Sequence, residues 1–288
     1  MKLRVAITGA GGFLGSALTR RLLAAGAEVH ALSRRPTTIP RVLWHAYDLG
    51  GPLPAPNFFE GVDAVVHAAF SMDGAGPTLE QKNLAAAEQL HAAVRRHGKH
   101  FVFISSMSAH AGAVSSYGRA KWAIEQTLDP AEDAIVRPGL IIGPGGVYAR
   151  MLDSLSRAPV LPVFFGGTQP VQPVGLDDVT AALERILGQR LAGAFNLGTP
   201  APITIRQLYG RMLAATGLRR RLLPLPGNLA VLALRAGEKL GLSLPLTVEN
   251  LLGQKHLRMF ETTPTFTRLG LTPKPLDELP WALPHPTP

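Results

Sequence analysis

Gly9, Gly12 and Gly15 stand three residues apart in VAITGAGGFLGSALTRRLLAA, between an apolar, β-branched run (Leu3, Val5, Ile7) and a run of helix formers. Strand, glycine turn and helix in that order open a nucleotide-binding βαβ unit. Gly9 turns the chain sharply, Gly12 lets the backbone approach a pyrophosphate with no Cβ in the way, and Gly15 lets the helix pack closely on the strand. The amides around Gly12, Phe13 and Leu14 then face an anion. A helix N-terminus carries roughly half a positive charge, so it holds two phosphates without side-chain partners. The stretch predicts a dinucleotide site in an α/β fold built on a doubly wound parallel sheet.

The remainder of the composition narrows the class. The 288 residues are 46% apolar, ample for a core. With no Cys the chain has neither a disulfide framework nor thiolate chemistry, and a cytoplasmic, reducing compartment is the expectation. MKLRVAITG reads as a strand start without the apolar h-region of a secretory signal, and no apolar run approaches the ~20 residues that span a bilayer. The net charge is +9, yet the basic residues are scattered and no nucleic-acid motif accompanies them, so a basic surface that draws in phosphorylated cofactors is expected in place of nucleic-acid binding. The nine His are dispersed and no metal-ligand cluster is expected.

The second strand, Glu28 to Leu32, is followed by Ser33, Arg34 and Arg35. An acidic residue at this strand end bonds a ribose 2′-hydroxyl, whereas Arg accommodates a 2′-phosphate. With Ser33 in place of the acid and Arg34 next to it, NADP is expected over NAD.

Taken with its glycine spacing, the chain resembles extended and atypical short-chain dehydrogenases/reductases, the NAD(P)-dependent epimerase/dehydratase group. The resemblance implies that Asp48 and Leu49, after the third strand, lie around the adenine. It implies that the small residues Ala68 and Ala69, after the fourth strand, let the chain lie against the cofactor. Asn83 falls where that group places a structural or proton-relay Asn, with a solvent-facing Asn as the alternative. The Arg137-Pro138-Gly139 run is similar to the group's exit from the sixth strand, with Pro138 covering the nicotinamide side. His67 reads as a packed strand-end residue.

The stretch FVFISSMSAHAGAVSSYGRAKWAIEQTL holds the chemistry. A buried-strand run, Phe101 to Ile104, delivers Ser105 and Ser106 at its C-terminal end, where α/β sheets hold ligands. Tyr117 and Lys121 are four apart on a helix expected to reach Leu128, so they share one face. An ammonium beside a phenol, whose unperturbed pKa is near ~10, favours phenolate. The resemblance implies Tyr117 as general acid or base, Lys121 lowering its pKa and bonding the nicotinamide ribose, and Ser106, not Ser105, polarising the substrate oxygen. Only ten residues separate Ser106 from Tyr117. That short form resembles the atypical branch similar to the accessory nucleotide-binding subunit of respiratory complex I, and it lacks most of the loop that helps hold a sugar nucleotide.

The expected organisation is a dinucleotide-binding Rossmann domain over residues 1–145 and, over 146–288, mainly a substrate-binding lobe with segments returning to the core. Asp177 and Asp178 read as N-terminal caps of a helix. The C-terminal stretch RRRLLPLPGNLAVLALRAGEKLGLSLPLTVENLL has an apolar face on Leu229, Leu232, Ala233 and Ala236, flanked by Arg219 to Arg221 and Lys239. Its leucines are expected to line a pocket for an apolar small-molecule substrate, with a peripheral membrane contact and an ordinary core helix as alternatives. The activity expected is hydride transfer between NADP(H) and a carbonyl or alcohol. A sugar-nucleotide epimerase or dehydratase, and an NADPH-binding structural or regulatory protein, are the alternatives. Substrate identity and oligomeric state are left open.

Overall fold

The computed structural model describes residues 2–74, 76–157, 159–239 and 248–283. The stretch 240–247 of the C-terminal segment and the side chains of Ala233 and Lys239 lie outside the described residues.

The first half alternates strand and helix: β1 Arg4–Thr8, α1 Phe13–Ala24, β2 Glu28–Ser33, β3 Leu43–Ala46, α2 Pro56–Glu60, β4 Ala64–His67, α3 Gly76–Arg96, β5 His100–Ile104, α4 Ser116–Glu125 and β6 Ala134–Pro138. The second half continues with β7 Leu140–Ile142, α5 Gly146–Arg157, β8 Val160–Phe164, β9 Pro170–Val171, β10 Pro173–Gly175, α6 Leu176–Gly188, β11 Gly193–Leu197, β12 Ile203–Thr204, α7 Ile205–Thr216, β13 Arg221–Leu225, α8 Gly227–Lys239, α9 Val248–Lys255 and α10 Thr263–Leu269.

Seven strands form one parallel sheet in the order β11-β6-β5-β4-β1-β2-β3. Its central strands are covered on both faces, which is why they read as unbroken apolar runs and not as alternation. On one face Leu18 and Leu22 of α1, Val179, Leu183 and Ile186 of α6, and Phe266 of α10 pack against Val5, Ile7, Val66 and Val102. On the other, Leu90 and Val94 of α3 and Ile124 of α4 pack against Val65, Phe101 and Phe103. Each such fully buried side chain contributes about 1.5–3 kcal/mol relative to leaving it exposed. A third cluster, with Tyr148 and Leu155 of α5, Leu161 of β8, and Leu208 and Met212 of α7, forms beside the sheet and closes on Trp281.

The strand order reverses direction between β1 and β4, and in such sheets ligands bind at the carboxyl ends of the strands beside that reversal. Two local expectations are corrected. Helix α4 ends at Glu125 instead of Leu128, shortly before a turn through Pro130 in which the Asp129 amide donates to Asp133. Asp177 and Asp178 lie in the first turn of α6 and are not its cap, which is Gly175; they hold the Lys274 ammonium and amide at 2.8 and 3.2 Å.

Candidate active site

Gly9 has φ +70°, and a Cβ there would come within 2.9 Å of the Ala69 backbone. Turn and fourth strand therefore touch, and Ala68 and Ala69 lie beside the glycines. The Thr8 hydroxyl locks them together: it sits 2.8 Å from His67 Nδ1 and accepts the Ala69 amide at 3.2 Å. His67 is buried and stacked between Phe101 and Phe103. Burial, then the charge of Lys121, drive its pKa down to about 3, so the ring is neutral and structural.

A Cβ on Gly15 would fall 2.2 Å from the Gly9 carbonyl oxygen, so this turn admits nothing larger. Helix α1 begins at Phe13 with no side-chain cap and no acidic residue in its first turn. The expectation for Gly12 is corrected, since its amide donates to the Gly9 carbonyl at 2.9 Å; the amides of Phe13, Leu14 and Gly15 are left for an anion. The Phe13 ring also fills the space beside Gly143, Gly145 and Gly146, where a Cβ on Gly145 would meet it at 2.4 Å.

At the far end of the crevice Arg34 is exposed, its Nε 4.0 Å from Asp48 Oδ1. Asp48 also accepts the Leu49 amide at 2.9 Å. The Ser33 hydroxyl donates to the Arg35 carbonyl at 2.8 Å. Asp73, held below the usual carboxylate range by the Ser71 hydroxyl and Lys82, also feels the charge of Arg34.

At the carboxyl end of β5 the two serines part. Ser105 is buried and donates to Glu125, whose carboxylate takes Arg137 through Nε at 2.8 Å and a terminal nitrogen at 2.5 Å. The Ser106 hydroxyl lies close enough to the Tyr117 phenol to lower its pKa, and its oxygen accepts the Ser108 amide at 3.1 Å. Helix α4 is started by Ser115, whose side chain accepts the Gly118 amide. One turn on, Lys121 is buried with Nζ donating to the Ile104 carbonyl at 2.6 Å, 4.7 Å from the Phe70 and Phe103 ring centres and 5.9 Å from that of Tyr117. The Phe70 ring meets the Tyr117 ring edge-on at 4.9 Å. Asn83 sets this wall: buried on α3, it clasps the Ser71 amide and carbonyl at 2.8 and 2.9 Å.

Burial lowers the Lys121 pKa to about 7, with Glu125 pulling the other way. Burial raises the Tyr117 phenol, which the nearby Ser106 hydroxyl partly offsets. The expected lowering of Tyr117 by Lys121 is not what this arrangement produces, because the ammonium is engaged by the Ile104 carbonyl and is itself partly neutral near pH 7.

Pro138 is buried, and its carbonyl accepts the Met107 amide at 3.1 Å. A Cβ on the next residue, Gly139, would lie 1.9 Å from the Gln172 carbonyl. Gln172 was not singled out in the sequence. It is buried and bonds the Phe260 amide and carbonyl, both at 2.9 Å, pinning the C-terminal segment beside Arg137, whose guanidinium lies 5.8 Å from the Phe260 ring. Nothing local marks a Gln for that role. The Glu125–Arg137 pair left one signal, since Glu125 lies one further turn along the helix that carries Tyr117 and Lys121.

The pocket expected under the C-terminal leucines is corrected. Leu229 and Leu232 of α8 are 64% and 66% exposed, and no α8 residue joins the third core cluster among the described residues.

A seven-stranded parallel sheet with an uncapped glycine turn at its reversal point defines a Rossmann-type protein. Residues 5–198 match the model of the NAD dependent epimerase/dehydratase family, and the chain belongs to that family. Its enzymes are NAD(P)-dependent reductases, epimerases and dehydratases. The chain is similar to the ceramide reductase of Caulobacter vibrioides, 34% identical over 194 residues that cover 62% of this chain and 59% of that protein. It is 29% identical to the 2-alkyl-3-oxoalkanoate reductase of Stenotrophomonas maltophilia over 256 residues, 76% of this chain and 77% of that one. A mitochondrial NADH dehydrogenase (ubiquinone) 1 alpha subcomplex subunit 9 of Arabidopsis thaliana is 30% identical over 224 residues, covering 70% of this chain and 55% of the plant protein. The matched part thus spans less than two thirds of the first and third of these relatives. Among solved structures, the UDP-glucose 4-epimerase of Thermus thermophilus in complex with NAD shares the fold, with a TM-score of 0.66, 24% identity and coverage of 78% of this chain and 86% of that one.

Proposed function

We propose that this protein is an NADP-dependent reductase acting on a carbonyl compound with an apolar body, with Ser106, Tyr117 and Lys121 as its catalytic set. The observation that carries the reading is the convergence of Ser106 and Tyr117 at the carboxyl end of β5, with Lys121 buried one helical turn along and its Nζ 5.9 Å from the Tyr117 ring centre. Two relatives support the substrate class: 2-alkyl-3-oxoalkanoate reductase is named for a ketone with an alkyl body, and ceramide reductase for a lipid.

The cradle fits a dinucleotide, because its glycines leave no Cβ over the turn and the first amides of α1 lack side-chain partners. On this reading the amides of Phe13, Leu14 and Gly15 hold the pyrophosphate over the turn of Gly9 and Gly12, Ala68, Ala69 and Pro138 border the cofactor, and Ser33, Arg34, Asp48 and Leu49 meet its adenosine end. The nicotinamide, when bound, supplies the hydride.

The chain supplies the proton. A phenol raised by burial keeps its proton at neutral pH, so Tyr117 is the acid that protonates the substrate oxygen while Ser106 polarises it. Residues 1–145 form the cofactor domain and 146–288 mainly the substrate lobe, with α6 and β11 returning to the sheet, and the protein works in the cytoplasm.

NADPH consumption with long-chain 3-oxo compounds, simple ketones and sugar nucleotides tests this reading. Consumption with the long-chain carbonyls supports it. Turnover of sugar nucleotides without net NADPH consumption replaces it with epimerase chemistry, and tight NADPH binding without any turnover replaces it with a binding role.

A further inference from the structure

We infer that β13 and α8 form a docking surface for an anionic lipid bilayer, an apolar ridge beside a cationic rim. The apolar part is made of two exposed groups: Leu229 and Leu232, three apart on α8 and 64% and 66% exposed, and, on the paired strands, Leu223 of β13 at 48% and Val160 of β8 at 41%. Strands β8 and β13 pair in parallel with Arg221 opposite Val160. Along β8 the inward residues Leu161 and Val163 are buried, so Val160 belongs to the outer face.

The rim is equally specific. Residues 218–236, LRRRLLPLPGNLAVLALRA, hold four Arg and no acidic residue. Arg220 is committed to structure: its guanidinium donates to the Leu155 and Ser156 carbonyls at 3.1 and 2.9 Å, closing the C-terminal end of α5. Arg219, Arg221 and Arg235 have no ion-pair partner among the described residues. Arg219 to Arg221 line an open hollow of about 590 Å³ whose other walls are Pro159, Val160 and Leu218.

Cations around an apolar floor match a phosphate headgroup above acyl chain, and a ridge of leucines beside them matches the depth at which interfacial helices lie. An apolar protein partner would account for the ridge but not for the exposed Arg219, Arg221 and Arg235. An acidic soluble ligand would account for the arginines but not for the ridge. The contact is interfacial, since among the described residues no helix is long and apolar enough to cross a membrane.

The test is co-sedimentation of the full chain with phosphatidylcholine vesicles, with and without phosphatidylglycerol, at low and high salt. Pelleting that needs the anionic lipid and falls at high salt is expected of the unmodified protein. Arg219→Ala with Arg221→Ala lowers the partition coefficient roughly thirtyfold, as two residues at about 1 kcal/mol each. Leu229→Ser with Leu232→Ser lowers it about a hundredfold or more. Unchanged circular dichroism and NADPH affinity in both variants show that the fold is kept. Failure of the unmodified protein to pellet with anionic vesicles overturns the inference, as does pelleting that ignores both pairs. A dimer in light scattering that Leu229→Ser with Leu232→Ser dissociates, with no lipid binding, assigns the face to a second copy and also overturns it.

Discussion

Ser105 and Ser106 share a peptide bond and serve different partners: the first donates to Glu125 in the interior, the second lies beside the Tyr117 phenol and lowers its pKa. Alanine at the two positions therefore gives opposite phenotypes. Ser106→Ala lowers kcat by about 10²–10³ and leaves unfolding free energy within about 0.5 kcal/mol. Ser105→Ala removes a bond to a buried carboxylate and costs about 1.5–3 kcal/mol of stability, while the folded fraction keeps its kcat. Urea unfolding and steady-state kinetics on both variants decide it, and a kcat loss larger at Ser105 than at Ser106 reverses the assignment.

Tyr117→Phe keeps the ring that packs edge-on against Phe70 and deletes only the hydroxyl. NADPH affinity by fluorescence titration stays unchanged and turnover falls by about 10²–10⁴. Retained turnover would remove Tyr117 from the chemistry.

Arg34 is exposed, and among the described residues its one ion pair is the long 4.0 Å contact with Asp48, so its charge is available to a 2′-phosphate. NADPH binds more tightly than NADH, and Arg34→Ala removes most of the difference, about 1.5–3 kcal/mol for a charged hydrogen-bonded contact. Calorimetric titration with both cofactors measures it, and equal affinities in the unmodified protein sink the NADP assignment.

Lys121 gives the cofactor-free protein a pH signature. Its pKa stands at about 7 against an ordinary 10.5, because burial penalises the ammonium. Below about 7 folded and unfolded chains both carry the proton, and the penalty is fully felt. Between about 7 and 10.5 the unfolded chain binds more protons than the folded one, so this contribution to stability rises with pH. Lys121→Met removes the charge and is therefore more stable than the unmodified protein near ~pH 6, with the gap closing toward ~pH 10. A gap that stays constant across a pH series of urea denaturations contradicts the buried ammonium.

What could be read from the sequence was local. The glycine turn was legible because each glycine's reason lies within a few residues: Gly15 answers to the Gly9 carbonyl. Tyr117 and Lys121 were legible because one helical turn places them together. The Asn83 clasp was half legible, as a position without a partner, since Ser71 lies on a loop whose path only the packed sheet determines. Gln172 and Phe260 meet across 88 residues, and no spacing rule reaches that far. The α8 leucines show a different failure. An apolar stripe tells which residues share a face, but whether anything covers that face depends on where the helix is laid down.

Phe13 connects two halves of the molecule that otherwise look separable. Its backbone amide is among those left without a side-chain cap at the start of α1, in the cradle proposed for the phosphates, and its ring is the surface on which Gly143, Gly145 and Gly146 rest as the chain passes from β7 to α5. Recombining this cofactor half with a relative's substrate half at that junction transplants a floor without its pillar. A bulkier loop pushes on the ring and displaces the amides behind it, so a chimera made there loses cofactor before it gains a new substrate.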